Sequence, residues 1–312
     1  RQMCIRDRRK TYGHVSDGMC ASERELGLGD SHEGIILLRD YGFTPQEYKA
    51  LKPGDDAMHL LHLDQPILEI NITPDRGYAF SYRGVAREYH HSTGAKFVDP
   101  VTELNKRAPA APAVESGVSS DIEVIVDDNN PIHGVTGCDR YVARAIHGFD
   151  PTNHTPNWMR RRLIRAGMRS ISLAVDVTNY VMLDLGQPMH AYDLDKIEGP
   201  IVVRRAAEGE KLTTLDGKEH DLSVEDLLIT DSPDGKRGSR ILGIAGVMGG
   251  LYGEVTADTK NILLEAAHFD SVSIARSARR HKIPSEASRR FERGVDTQLQ
   301  PCLLYTSPSP RD

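Results

Sequence analysis

The sequence predicts an α+β fold. Three observations predict it. Short alternating apolar runs crowd residues 131–298, a few amphipathic helical patterns stand between and beside them, and no strand–helix–strand rhythm repeats.

Taken in order, Ile35 to Leu38 carries a short strand signal after a Gly/Asp turn region. "ILEINITPDR" alternates Leu68, Ile70 and Ile72 with polar residues, which predicts a half-buried strand ended by Thr73-Pro74-Asp75. "GYAFSYRGVAREYHHSTG" then predicts a helix, with Tyr82, Val85, Ala86 and Tyr89 on one face and Gly94 as C-cap. An Ala/Pro-rich linker and the strand "DIEVIVDD" follow. "DRYVARAI" is a strand. "PNWMRRRLIRAGM" is a helix with Thr155 as N-cap and Pro156 in its first position, ended by Gly167. "SLAVDVTNYVMLDLG" reads as a strand running into a short helix. "IVVRRA", a hairpin turning at Asp216-Gly217, "DLLITD", "ILGIAGVMGG" and "NILLEAAHF" supply the remaining strands. "SVSIARSARRHK" opens a helix capped by Ser271 or Ser273.

Composition narrows the function classes. Of 312 residues, 27% are charged and 39% hydrophobic, an ordinary globular balance. No apolar run approaches the roughly 20 residues that span a bilayer, and no secretory leader pattern opens the chain. Cys4, Cys20, Cys138 and Cys302 form no CxxC pair, which argues against a zinc site or a disulfide framework and fits a reducing compartment. The net charge of −6 is wrong for a protein that only holds nucleic acid. Positive charge is local instead, in "WMRRRLIRAGMR" and "RSARRHKIPSEASRRFER". Solvated helix faces and phosphate-facing edges both fit those two stretches.

Several residues are candidates for chemistry. His190, in "GQPMHAYD", has its backbone restricted by Pro188; a neutral imidazole there can orient a water or a ribose hydroxyl, and a structural histidine fits as well. Arg169 follows a helix-ending glycine and can make a forked contact to phosphate, or be one more arginine of a basic helix. Gly246, Gly249 and Gly250 interrupt an apolar strand, where glycine marks a bend or the close approach of a ligand. Glu265 ends the run Ile262 to Leu264 and faces with Leu263 by strand alternation. A carboxylate among apolar residues must find a partner or shift its pKa. It is either a rim carboxylate paired with an arginine or an acceptor for a phenol hydroxyl. No GxSxG and no GxxxxGK[ST] motif occurs, so neither a serine elbow nor a nucleotide loop is expected.

"VDVTNYVMLDLGQPMHAYD", "GVMGG", "LLEAAHF" and "SARRHK…SEASRRFERGVD" together resemble the editing region of bacterial phenylalanyl-tRNA synthetase β subunits, a likeness covering roughly residues 11–300. The resemblance implies a mixed-sheet B3/B4 editing domain at 131–298. Ahead of it would come the C-terminal edge of an OB-type tRNA-binding domain (11–45), a small α/β unit (46–106) containing "TPDR", and a linker (107–130). Residues 1–10 and 299–312 look like non-native adaptor sequence or a truncated tail.

It further implies that Arg169, His190, Gly249, Glu265, Ser285 and Ala287 line an editing pocket, with Gly246 beside them. The activity would be hydrolysis of Tyr-tRNA(Phe). The parent enzyme joins phenylalanine to tRNA(Phe) with ATP and Mg²⁺ at a site on the α subunit, as a cytoplasmic α2β2 heterotetramer. No cofactor is expected in this stretch, and no DNA or membrane partner. A silent tRNA-binding and assembly scaffold, or a free-standing deacylase, are the alternatives.

Overall fold

A computed structural model describes residues 9–16, 22–28, 32, 34–38, 43, 45–61, 63–107, 122–128 and 131–306. The chain forms two compact units, residues 1–70 with 153–176, and residues 71–152 with 177–312.

The first unit contains a hairpin of β1 (Arg9–Thr11) and β2 (His14–Ser16) and two short helices, α1 (Pro45–Ala50) and α2 (Ala57–Leu60). The hairpin takes in two residues of the expected adaptor segment. Leu28 and Leu61 are the buried centre of a small apolar cluster with Phe43 and others around them. The expected strands do not form. Ile35–Leu38 and residues 67–72 enter no ladder among the described residues, and Leu68 and Ile70 stay exposed. Alternation marks a chain that can pair; pairing also needs a neighbouring edge.

Helix α5 (Asn157–Arg165) belongs to this unit too. It starts one residue later than expected, with Pro156 at the N-cap and no side-chain cap bond. The Thr155 hydroxyl instead donates to the buried Asp176 carboxylate at 2.5 Å, which also accepts from Ser170 Oγ at 2.5 Å and the Ile171 amide at 2.9 Å. A cap site is thus taken over by a competing tertiary partner. Two of the α5 arginines are engaged locally: Arg160 pairs with Glu23 at 3.0 Å, and Arg165 bonds Gln65 and the Pro66 carbonyl.

Helix α6 (Leu173–Leu185) begins here and runs into the second unit. It is helical throughout, so the expected entering strand is absent. Asp176, in its first turn, gathers the preceding loop and suits the positive end of the helix.

The second unit opens with a 3₁₀ segment, Pro74–Ala79, and two helices, α3 (Tyr82–Thr93) and α4 (Pro100–Arg107). Ser81 caps α3 by accepting from the Gly84 amide at 3.0 Å, and Gly94 ends it at φ +71° as expected.

A five-stranded mixed sheet follows. Its strands are β3 (Val124–Asp127), β6 (Ile201–Arg205), β9 (Leu227–Asp231), β10 (Arg240–Ile244) and β11 (Met248–Gly249), in the order β11-β10-β9-β6-β3. Only the β3–β6 pair is parallel. The second sheet is antiparallel, ordered β4-β12-β5, from β4 (Cys138–His147), β5 (Met189–Asp193) and β12 (Asn261–Phe269). Strands β7 (Lys211–Thr213) and β8 (Glu219–Asp221) form the expected hairpin around Asp216-Gly217.

Helices α7 (Ser271–His281), α8 (Glu286–Phe291) and α9 (Leu299–Thr306) complete the unit. Asp270, not Ser271 or Ser273, caps α7; its carboxylate accepts from the Ser273 amide at 2.8 Å. One apolar core joins the two sheets, with Val124, Ile201, Val203, Leu227 and Ile229 from one and Tyr141, Ala143, Tyr192, Leu263 and Ala267 from the other. Phe291 and Ile274 close it from the helices. Leu299 and Leu303 of α9 pack with Val181 and Leu185 of α6, and Arg144 of β4 donates to the Leu304 carbonyl at 2.5 Å.

Candidate active site

Strand pairing alone brings the two central candidates together. Glu265, on the middle strand β12, lies opposite His190 on β5 and opposite Ala143 on β4. Residues directly opposite in a ladder share a face. The same face therefore carries Tyr192, two along from His190, and Tyr141, two along from Ala143. This face looks into the core between the sheets, where Tyr141, Tyr192 and Leu263 are almost fully covered and Glu265 is 7% exposed.

The carboxylate has partners. Its Oε2 accepts from Tyr192 Oη at 2.6 Å and from Tyr141 Oη at 3.1 Å. Neither partner is an arginine, so the rim ion pair is not what forms. Burial raises the Glu265 pKa to about 7, against the two phenol bonds, which lower it. Both tyrosines are pushed well above their ordinary 10, first by burial and then by the neighbouring carboxylate.

The His190 ring meets Tyr192 edge-on, centroids 4.4 Å apart. Burial lowers its pKa to about 4, so it is neutral near pH 7. The residue is only partly covered, because its ring opens on a cavity, and no hydrogen bond from a described residue reaches either ring nitrogen.

The cavity encloses about 80 Å³. That is several times the ~10–15 Å³ one water needs, and about half the ~150 Å³ of a cavity that admits benzene. His190, Tyr192 and Glu265 form one wall, the 243–249 turn another, and Ala287 and Phe291 of α8 a third.

Two glycines make the turn possible. A Cβ on Gly249 would stand 2.8 Å from Cε1 and Nε2 of His190. Gly246 has φ +65°, and a Cβ there would meet Ile274, Phe269 and Phe291 at 3.0 Å each. The glycine-dense motif is thus a close approach of backbone to an imidazole.

Gly246, Gly249 and Ala287 line the cavity with His190 and Glu265. Ser285 stands behind the wall: it caps α8, accepting from the Ser288 amide at 3.0 Å, and donates to the Val247 carbonyl at 2.7 Å, tying the helix to the glycine turn. Arg169 is exposed in the α5–α6 connection of the first unit, two residues after Gly167 at φ +79°. Sequence reasoning missed Tyr192 and Tyr141. The first was signalled by its i+2 spacing from His190; the second needed the β4–β12 register. Among the described residues, no three His, Cys, Asp or Glu side chains gather as a metal site.

A glycine-lined turn, a buried carboxyl and a neutral imidazole face one cavity within an α+β domain. The model of the "B3/4 domain" matches residues 137–305, and the chain belongs to that family. It is 83% identical over 293 residues to the "Phenylalanine--tRNA ligase beta subunit" of Bifidobacterium longum, covering 94% of this chain and 34% of that protein. It is 55% identical over 291 residues to the same-named subunit of Leifsonia xyli, covering 93% and 32%. The chain thus spans about a third of the length of these curated relatives. An N-terminal fragment of the phenylalanyl-tRNA synthetase beta-subunit from Pyrococcus horikoshii aligns over 78% of this chain and 71% of that one, at 17% identity and a TM-score of 0.35. No helix among the described residues is long and apolar enough to cross a membrane.

Proposed function

We propose that this chain carries the hydrolytic editing pocket of a phenylalanine--tRNA ligase, which cleaves tyrosine from Tyr-tRNA(Phe). One observation carries the reading: a buried carboxyl on a small apolar cavity, one oxygen held by the protein, beside a neutral imidazole with open nitrogens.

The tyrosyl group enters hydroxyl first, its ring part-way into a cavity that must widen to take the whole of it, and the hydroxyl donates to Glu265. A phenylalanyl ring covers the same carboxyl and offers nothing. Leaving a buried acceptor unpaired costs roughly 1–3 kcal/mol, or about 5- to 150-fold. Water adds to the ester carbonyl, the bond to the ribose oxygen breaks, tyrosine leaves as the acid, and the ribose oxygen takes the proton. With a pKa near 4, His190 is a weak base at neutral pH. Its role is to orient the water or the ribose hydroxyl. Gly246, Gly249 and Ala287 shape the wall, Ser285 anchors it, and Arg169 steadies the tRNA end.

The same reading makes residues 11–45 the edge of an OB-type domain; of the expected 107–130 linker, Val124–Asp127 form strand β3. It makes the parent a cytoplasmic α2β2 enzyme that charges tRNA(Phe) with ATP and Mg²⁺ on its α subunit. The test is deacylation of preformed Tyr-tRNA(Phe) against Phe-tRNA(Phe). Tyrosyl-selective hydrolysis that His190→Ala abolishes is expected. Folded chain that leaves both esters intact would make the pocket a silent binding scaffold.

A further inference from the structure

Glu265 is gripped from both sides. Tyr192 reaches it from β5 and Tyr141 from β4, and both hydroxyls donate to the same oxygen, Oε2. No hydrogen bond from a described residue reaches Oε1, and the residue lines the cavity. A carboxylate with two equivalent oxygens can turn about its terminal bond. Two donors on one oxygen remove that equivalence and fix the plane of the group.

Two resident phenols already bond this carboxylate with ordinary geometry. We propose that Tyr141 and Tyr192 are specificity-determining positioning residues, which occupy Oε2 so that Oε1 is the one acceptor left for the hydroxyl of an aromatic ring in the cavity. This rests on the reading that the cavity takes a tyrosyl group. The carboxylate then gathers three phenols, two from the protein and one from the substrate. Without the resident pair, the group would turn, present either oxygen, and lose the donors that support its ionised form in a buried place. Tyr192, at 2.6 Å, holds it more tightly than Tyr141, at 3.1 Å.

The test compares the full chain with Tyr192→Phe and Tyr141→Phe, each checked for folding by circular dichroism and melting. Two readouts are taken: the Tyr-tRNA(Phe) to Phe-tRNA(Phe) ratio of kcat/KM, and the binding preference for p-cresol over toluene followed by NMR. Tyr192→Phe is expected to lower both by about tenfold, the worth of one hydrogen bond to a charged group. It should also move the pH midpoint of tyrosyl hydrolysis upward, which a loss of packing alone would not do. Tyr141→Phe should do the same to a smaller degree, and serves if the first variant does not fold. Wild-type selectivity that both folded variants keep within twofold overturns the inference and leaves the proposed function standing. A wild-type chain with no tyrosyl or p-cresol preference overturns both.

Discussion

Replacing Glu265 by glutamine should change the slope of stability against pH in a way the structure sets. The folded protein raises this carboxyl from 4.5 to about 7. It therefore holds a proton that the unfolded chain releases between those values. The stabilisation is full below pH 4.5 and is lost as pH rises through 7. A window of roughly 2.5 pH units at 1.36 kcal/mol each makes the loss about 3 kcal/mol.

His190 works in the opposite sense. Its folded pKa of about 4 lies below the ordinary 6.5, so the unfolded chain binds the extra proton, and stability rises as pH goes from 4 to 6.5. The two slopes nearly cancel in the wild type between 4.5 and 6.5. In Glu265→Gln only the histidine slope remains. Urea melts of both proteins at half-unit steps from pH 4.5 to 7 give the difference directly. The variant should gain about 3 kcal/mol relative to wild type across the range. Parallel curves would mean that Glu265 titrates as an ordinary exposed glutamate, and the site description would be wrong.

Gly249→Ala should push the His190 ring aside, because its Cβ has only 2.8 Å of room, and should cut deacylation at least tenfold while costing about 1–3 kcal/mol in a thermal melt. Unchanged hydrolysis would show that the ring position is immaterial. Asp226→Asn should cost roughly 3–5 kcal/mol in urea, since Asp226 is fully buried and pairs with Arg280, with His281 at 2.7 Å and with Ser277 at 2.6 Å. Its carboxyl lies below the ordinary 3.8, so that stability is present above 3.8 and lost as pH falls through the folded value; a variant as stable as wild type at pH 7 would refute the pairing.

The helix α3 with its Gly94 cap, the β7–β8 hairpin and the strand carrying Glu265 were legible because their signals are local: a 3.6-residue period, an Asp-Gly turn, an alternating apolar run. The misread elements failed for the opposite reason. Residues 173–185 carry Val175, Val177, Thr178 and Val181, whose β-branched side chains favour strands, yet they form helix α6. Asp176 binds the preceding loop, and Val181 and Leu185 pack on α9, so tertiary contacts override propensity. Thr155 had the chemistry of a cap and gave its hydroxyl to Asp176.

By itself, the sequence singled out a histidine behind Pro188, a glutamate in an apolar strand, and glycines where side chains would crowd. Strand period also set that Glu265 shares a face with Leu263. Only the tertiary structure decided that His190 is the cross-strand partner of Glu265, that Tyr141 and Tyr192 both bond one carboxylate oxygen, and that Gly249 lies against the imidazole. Register between strands far apart in the chain is chosen by how whole faces pack. That choice turned an isolated glutamate into a buried acid with a pKa near neutrality.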